Sequence, residues 1–449
     1  MFSALIDADR TNTRLFEENK PSEPERDRNE LFTSYYRKLM DKLDSFQAEE
    51  EAQSPINRLR REMSNRCEQY AENPSGIYSL SIPTGGGKTL ASLRYALRHA
   101  LEYGKKRIVY VVPYTTIIEQ NAEEVRKILS DEENVLEHHS NVIDDADDDD
   151  ENQDGTMSLQ QKWKLARDNW DAPIIFTTMV QFLNAFYAKG GRNIRRLHNL
   201  SESVIIFDEV QKVPVRCVSL FNHALNFLHD FGQSSLILCT ATQPALDFVE
   251  HKLEIKSNAE IIERLDDVIE AFKRVEIVDR ATQEVFDTEK LADFVIDKLD
   301  EVQSVLVVLN TKTVVKKLYR RLESCGVPFY HLSTSMCPAH RKHILEEVKR
   351  HLDKEEKVVC VSTQLIEAGV DISFDCVVRS LAGLDSIAQA AGRCNRHGRS
   401  VIRQVYVIDH AEESLTHLPE IKKGKEISRK IFIDLRKNPN SHGGHILSR

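Results

Sequence analysis

The sequence predicts an α/β protein of two successive units, each a mostly parallel sheet with helices on both faces. Three observations lead there. Short runs of β-branched and apolar residues alternate with stretches of helical spacing, the pattern of strands buried on both faces. The alternation loosens between about 250 and 280 and then starts again. Only the first series carries a glycine-rich turn of the kind that cradles phosphate, Pro83-Thr84-Gly85-Gly86-Gly87-Lys88-Thr89.

The bulk properties set limits on function. A chain of 449 residues can fill two or three domains, and 41% hydrophobic with 29% charged residues describes a soluble globular protein. No apolar run reaches membrane-spanning length, and Met1–Arg10 meets acid too early for a secretory signal, so a cytoplasmic location is expected. The net charge is −10, but Asp144–Asp154 holds eight acids and no base. That run reads as a solvated loop and lacks the Asp-x-Asp-x-Asp-Gly spacing of a calcium loop. The rest of the chain is close to balanced, which neither demands nor excludes a nucleic-acid partner, since a local basic groove would suffice. The eight cysteines are scattered with no Cys-x-x-Cys pair, which fits reduced thiols rather than a zinc site.

Residues 1–54 lack the bulk of a domain: an apolar start, a charged Lys20–Glu30 linker, a helix over Leu31–Phe46 and a Glu49–Glu51 charge run. An amphipathic helix over Pro55–Tyr70 leads into a strand, Ile77–Ile82, and the phosphate loop is followed by a helix from Leu90 to Ala100. Further strands are expected at Arg107–Pro113, Ile174–Thr178, Ser203–Glu209 and Leu236–Thr242, with a helix over Thr116–Leu129. The first unit is therefore assigned to 55–250. The second, 251–410, has an edge strand at Arg274–Val278, strands at Ser304–Asn310, Lys357–Ser362, Cys376–Ser380 and Val401–Ile408, and a helix over Lys312–Cys325. Residues 411–449 form a mixed, basic tail too short for a further domain.

Three constellations carry chemistry. In the phosphate loop, Thr84, Gly85, Gly86 and Gly87 let backbone N–H groups converge on an anion, Lys88 reaches terminal phosphates and the Thr89 hydroxyl ligates Mg²⁺. The competing reading is a glycine-rich turn with an incidental lysine. Asp208 and Glu209 end a very apolar strand, where α/β sheets bind ligands and where solvated acids are the blander explanation. Asp208 would hold Mg²⁺ and Glu209 would orient the attacking water. Thr240 and Thr242 end the next strand and could hydrogen-bond the acidic pair and relay its state. In the second unit, Gln389 to Arg396 places Arg393 and Arg396 three residues apart on one helical face. Arginine forks match phosphate oxygens, and supplying them from a second domain would make hydrolysis depend on closure; a surface basic helix is the alternative.

The ordered set resembles superfamily 2 helicases: Pro83–Thr89, Val112–Thr115, Thr177–Gln181, Asp208–Gln211, Thr240–Thr242, Ser362–Asp371 and Gln389–Arg396. Such proteins are two tandem RecA-like domains with ATP in the cleft and a single strand across both. More narrowly, Pro83–Thr89, His139-Ser140, Asp208-Glu209-Val210-Gln211, Ser362–Asp371 and Gln389–Arg399 resemble the CRISPR-associated helicase–nuclease of type I interference. The resemblance covers about residues 55–410. It implies ATP and Mg²⁺ as cofactors, single-stranded DNA as substrate with 3′-to-5′ movement, and an RNA-guided CRISPR surveillance complex as partner, with no membrane and a monomeric chain. It assigns Gln389 and Gln211 beside the catalytic residues, and Gly369 and Asp371 to nucleotide-dependent closure. Strand phosphates fall to Thr115, Thr178, Gln181, Thr311, Ser362, Thr363 and Gln364, each of which has an equally good turn or capping role.

Departures from the family are informative. Gln211 stands where a histidine is common, and Ile82 where the loop expects a small first residue. No upstream glutamine is assignable to adenine, so the choice of ATP rests on the resemblance. Phe2–Asp9 is similar to the last helix of the family's HD nuclease, but the histidine ligands that should precede it are absent, and Asp7 and Asp9 alone cannot build a two-metal site. Nuclease activity is not expected, and the chain reads as shortened at both ends. The rivals are another superfamily 2 enzyme, such as a restriction translocase or RNA helicase, and a nucleotide-gated clamp that binds strand without turnover. A nuclease encoded upstream favours the CRISPR reading over the first; intact Lys88, Asp208, Glu209 and both arginines disfavour the second. A small-molecule kinase would leave the second unit without a role.

Overall fold

The computed structural model describes residues 1–17, 27–48, 53–139, 166–240, 246, 249–256, 258–324, 326–367, 370–396, 398 and 402–437. The acidic run Asp144–Asp154 and Ser140 lie outside them. The chain divides into two compact units, Met1–Val268 and Ile269 onward.

In the first unit, β1 (Ile77–Ser81), β2 (Arg107–Val112), β3 (Val135–His138), β4 (Ile174–Thr178), β5 (Ser203–Phe207) and β6 (Ser235–Thr240) form one sheet in the order β1-β6-β5-β2-β4-β3. Every pairing in it is parallel. All residues of β1, β2, β5 and β6 are buried, which is why they read as unbroken apolar runs rather than alternating ones. On one face Phe207, Phe182 and Phe221 make edge-to-face contacts at 5.0 to 6.3 Å, and elsewhere in the sheet Tyr110 stacks on Phe176 at 4.6 Å. The edge strand β3 was not legible in the sequence, because Val-Leu-Glu-His is short and half polar.

Both ends of this unit differ from the expected boundaries. The helices Phe2–Glu17 and Arg28–Ser45 pack on it: Phe32, Tyr35 and Leu39 are buried, and Tyr35 donates to Asp131 at 2.7 Å. At the far end Ala259 and Ile261 bracket Ser79 with backbone hydrogen bonds of 2.9 Å each. The Glu260 carboxylate accepts from Ser79 Oγ, Ser81 Oγ and Ser81 N at 2.8 to 3.0 Å. Residues 251–268 therefore belong to the first unit. Backbone pairing and one carboxylate hold 259–261, and Leu253, Ile261 and Ile262 are buried without the regular alternation that would have marked them in the sequence.

The second unit contains β7 (Val275–Asp279), β8 (Val285–Phe286), β9 (Ser304–Val308), β10 (Phe329–Leu332), β11 (Val358–Ser362), β12 (Cys376–Ser380) and β13 (Arg403–His410). They run in the order β10-β11-β9-β12-β13-β7, with β8 against β13, again all parallel. The sequence reading missed β8, β10 and the helix Pro338–Asp353. The supposed tail is part of this unit: in the helix Pro419–Lys437, Phe432 packs with Leu381, Ile387 and Val407. Gly424 allows that docking, because a Cβ there would lie 2.9 Å from Gly383 Cα. Among the described residues no helix is long and apolar enough to cross a membrane.

The helix Lys88–Tyr103 buries His99 completely, holding its ring between the Ala71 carbonyl at 2.8 Å and Ser235 Oγ at 2.6 Å. Burial lowers its pKa to about 4. Because the folded value lies below the ordinary 6.5, stability from the neutral ring is complete above pH 6.5 and is lost as pH falls toward 4. Trp170 is buried in the first unit, so its fluorescence reports on that unit. Urea melts so monitored should lose on the order of 3 kcal/mol from this group between pH 6.5 and 4, at about 1.4 kcal/mol per unit. His99→Gln should flatten that slope; an unchanged slope rules the assignment out.

Candidate functional site

Strand β1 delivers the phosphate loop from a fully buried start. Gly85 and Gly87 take φ of 78° and 83°, left-handed values that L side chains resist. Gly86 is required for a different reason: a Cβ there would lie 2.5 Å from Ile82 Cγ2 and 2.9 Å from the Pro83 carbonyl. Its N–H closes the turn on that carbonyl at 2.8 Å. Ile82, the residue that replaces the expected first glycine, is thus the buried floor beneath the arch. Arg60 Nε donates to the Gly85 carbonyl at 2.8 Å and braces the loop from outside. Gly87 caps the helix Lys88–Tyr103 without a side-chain hydrogen bond, which leaves the first-turn N–H groups for an anion. Thr84 is exposed and Thr89 half-buried at the helix start.

The strand order then gathers the charges. β6 lies between β1 and β5, so Lys88, Thr240 and the Asp208-Glu209 pair come from three adjacent strand ends. Lys88 Nζ lies 2.6 Å from Asp208 Oδ1 and 2.7 Å from Glu209 Oε1. Burial alone would lower the Lys88 pKa, but the charges of Asp208 and Glu209 raise it above the ordinary range. Asp208 is pushed upward by burial, against Lys88 and with Glu209. Glu209 sits at φ 50°, an unusual left-handed value for a glutamate that turns its carboxylate toward the lysine. Gln211 Nε2 donates to Glu209 Oε2 at 2.5 Å, and Thr240 Oγ1 donates to Gln211 Oε1 at 2.9 Å. Thr240 therefore reaches the acidic pair through Gln211, where the sequence reading had the threonines contacting it directly. Thr242 lies outside the described residues.

The donor set suits Mg²⁺ shared with a nucleotide. Among the described residues no trio of His, Cys, Asp or Glu gathers, so a divalent cation would take Asp208 and Thr89 from the protein and fill its shell with phosphate oxygens and water, as Mg²⁺ commonly does. Asp7, the residue reminiscent of a nuclease ligand, is spent elsewhere. It pairs with Arg195 at 2.8 Å and accepts from Asn169 at 3.2 Å, anchoring the first helix.

In the second unit the arginines are not on one helical face. The helix Leu384–Ala391, with Gln389 half-buried in its last turn, ends before them, and Asn395 at φ 49° turns the chain. Arg393 is buried and donates to the Ile366 carbonyl at 2.9 Å and the Glu367 carbonyl at 2.6 Å. Arg396 pairs with Asp371 at 2.8 Å. Gly369 lies outside the described residues.

The residues assigned to strand phosphates divide between the units. Thr115 begins the helix after β2, and Thr178 caps the next helix by accepting from Gln181 N at 3.2 Å. The Gln181 side chain accepts from Arg196 at 3.2 Å. Ser362 faces inward, wholly buried, and donates to the Thr363 carbonyl at 2.8 Å; its hydroxyl does not face a strand. Thr311, Thr363 and Gln364 follow β9 and β11, which are neighbours. The hydroxyls of Thr311 and Ser333 are buried without a hydrogen-bond partner among the described residues, after the ends of β9 and β10. Ser333 escaped the sequence reading because β10 did; a hydroxyl-rich turn after a recognised strand would have marked it.

Comparison with known proteins agrees with this geometry. Residues 61–249 match the DEAD/DEAH box helicase family, and residues 301–399 match the family described as CRISPR-associated nuclease/helicase Cas3, C-terminal. The CRISPR-associated nuclease/helicase Cas3 of Haloferax volcanii is 25% identical over 421 residues, covering 71% of this chain and 44% of that protein. The putative counterpart of Methanocaldococcus jannaschii is 25% identical over 380 residues, covering 81% and 47%. The chain thus spans less than half the length of these relatives. Its fold matches the crystal structure of T. fusca Cas3-ATP with a TM-score of 0.65 at 16% identity, over 88% of this chain and 51% of that one. It also matches Mycobacterium smegmatis helicase Lhr bound to ssDNA and AMP-PNP, with a TM-score of 0.52 at 17% identity, over 78% and 47%. The resemblance to the CRISPR-associated helicase–nuclease therefore extends over both units, and the fold is that of two RecA-like domains.

The loop geometry yields a sharp test. Gly86→Ala forces Ile82 or the Pro83 carbonyl to move, at about 1–3 kcal/mol for overpacking. A fluorescent ATP analogue should bind the variant about tenfold or more weakly, because 1.4 kcal/mol is a factor of ten. Wild-type affinity in a folded Gly86→Ala protein would mean the loop does not form the cradle.

Proposed function

We propose that the chain is an ATP-driven superfamily 2 motor that moves 3′-to-5′ on single-stranded DNA within CRISPR type I defence. The observation that carries this reading is the Lys88 ammonium held between Asp208 and Glu209 at the mouth of a glycine cradle. A phosphate chain with Mg²⁺ would exchange those partners one for one: Lys88 to phosphate oxygens, Asp208 and Thr89 to the cation. Glu209, released from Lys88 but still held by Gln211, would then orient a water for in-line attack. Bound Mg²⁺ would supply charge neutralisation. Arg393 and Arg396 would stabilise charge on the transferred phosphoryl group, and Gly369 and Asp371 would couple to nucleotide state. Thr115, Thr178, Gln181, Thr311, Thr363 and Gln364 would grip strand phosphates without reading bases.

The relatives' names support a CRISPR setting, with an RNA-guided surveillance complex as recruiting partner. A cytoplasmic monomer is the form this reading takes. The clamp reading remains its one mechanistic rival, because Lys88 locked between both carboxylates is also what a non-cycling site would present.

Steady-state ATP turnover with and without single-stranded DNA separates them. Strand-stimulated hydrolysis should be abolished in Lys88→Ala and fall by about 10²-fold or more in Glu209→Gln, with nucleotide binding kept in the latter. Unwinding should require a 3′ rather than a 5′ overhang. A folded wild-type chain that binds ATP and strand yet never turns over would replace the motor with a clamp.

A further inference from the structure

We propose that Arg379 is a positioning residue that locks Arg393 to the strand-gripping loop of the same unit, so that disturbance at one is felt at the other. The proposal rests on the assignment of Arg393 to the transferred phosphate. Arg379 lies on β12, whose neighbours are β9 and β13, and it is wholly buried. Its guanidinium joins three elements. Nη1 donates to Asn310 Oδ1 at 2.9 Å, at the end of β9 and next to Thr311, and to the Ser380 carbonyl at 2.8 Å. Nη2 donates to Ser386 Oγ at 2.9 Å, in the first turn of the helix Leu384–Ala391. Nε lies 3.0 Å from Glu367 Oε1 in the turn after β11.

Glu367 carries the link onward. Ser386 Oγ also donates to its carboxylate, and its backbone carbonyl is the one that receives Arg393 Nη2. Asn310 is fixed from behind by Glu413, which accepts from its backbone N–H and its side-chain amide and from Ser380 Oγ. The path from Thr311 to Arg393 thus runs from the adjacent Asn310 through the Arg379, Ser386 and Glu367 side chains and ends on the Glu367 backbone carbonyl.

Stability alone does not explain such a cluster. Desolvating an arginine and a glutamate offsets most of their attraction, and well-packed apolar residues commonly serve stability as well or better. What the charged version supplies is geometry. The guanidinium is planar with five donors in fixed directions, so three elements bonded to one fork cannot shift independently. A neutral core would let each slide.

The test uses the full chain and compares Arg379→Lys and Ser386→Ala, each alone and combined with Arg393→Ala. Strand-stimulated kcat should fall about tenfold in Arg379→Lys and several-fold in Ser386→Ala, with KM for ATP within about twofold, since a misplacement near 1 Å can cost that much. In the Arg393→Ala background neither change should lower kcat further, because residues acting as one unit are not additive. Losses that multiply in that background, or a folded Ser386→Ala chain with wild-type kcat, overturn the link. If Arg379→Lys fails to fold, Ser386→Ala decides alone. Undiminished turnover in Arg393→Ala itself sinks the assignment of Arg393 and this proposal with it, whereas turnover absent from the wild-type chain sinks the motor reading first.

Discussion

The first unit depends on offsetting the charge of two adjacent carboxylates at the end of a buried strand that is apolar from Val204 to Phe207. Burying an unpaired charge is costly, and a like-charged pair compounds the cost. Lys88 resolves it by lying within 2.7 Å of both. That single contact explains features that look unrelated. The loop after β1 must arch over Ile82 so that Lys88, at the start of the following helix, can reach past β6 to β5, two strand spacings of about 4.8 Å each. Glu209 must take a left-handed φ so that consecutive residues present both carboxylates to one ammonium. One ammonium balances only one of the two carboxylate charges, and a nucleotide with its cation would exchange these partners for new ones.

Thr240 and Gln211 show how strand order makes a relay. The hydroxyl at the end of β6 lies between the loop on one side and the acids on the other only because β6 is inserted between β1 and β5. Gln211 turns that adjacency into a chain, accepting at one end of its amide and donating at the other. A histidine at this place could also bridge, but its charge would change between pH 5 and 8. The glutamine bridge stays neutral, so the geometry of Glu209 does not vary with the protonation of its neighbour.

The parallel sheets and the first-unit charges were legible because their signals are local. Strands buried on both faces must be apolar throughout, and a glycine cradle followed by Lys-Thr has few other uses. What escaped was held by contacts no window of sequence contains. β3 and β10 are short edge strands with polar or aromatic residues. Residues 259–261 pair through backbone and one carboxylate. The Arg393–Arg396 spacing suggested a helix, since three-apart residues share a helical face, but Gly392 and the left-handed Asn395 end it. The family resemblance alone assigns Ser362 to strand phosphates, yet a strand buried on both faces turns its last side chain inward as readily as outward.

Both units place an ion pair at the C-terminal side of a parallel sheet, and accessibility separates their uses. The side chains of Lys88, Asp208 and Glu209 keep 18%, 16% and 20% exposure, enough for solvent and an incoming ligand to reach them and for the partners to exchange. Arg379 and Glu367 keep 0% and 3%, and their hydrogen bonds to Asn310 and Ser386 stay within the unit. An ion pair open to solvent can be traded for phosphate and metal at little net change in charge burial. A sealed one cannot be traded, because breaking it would leave a charge stranded in a medium that cannot solvate it. The same chemistry therefore provides an exchangeable contact in the first unit and a fixed frame in the second. A fixed frame can hold Arg393 in one place.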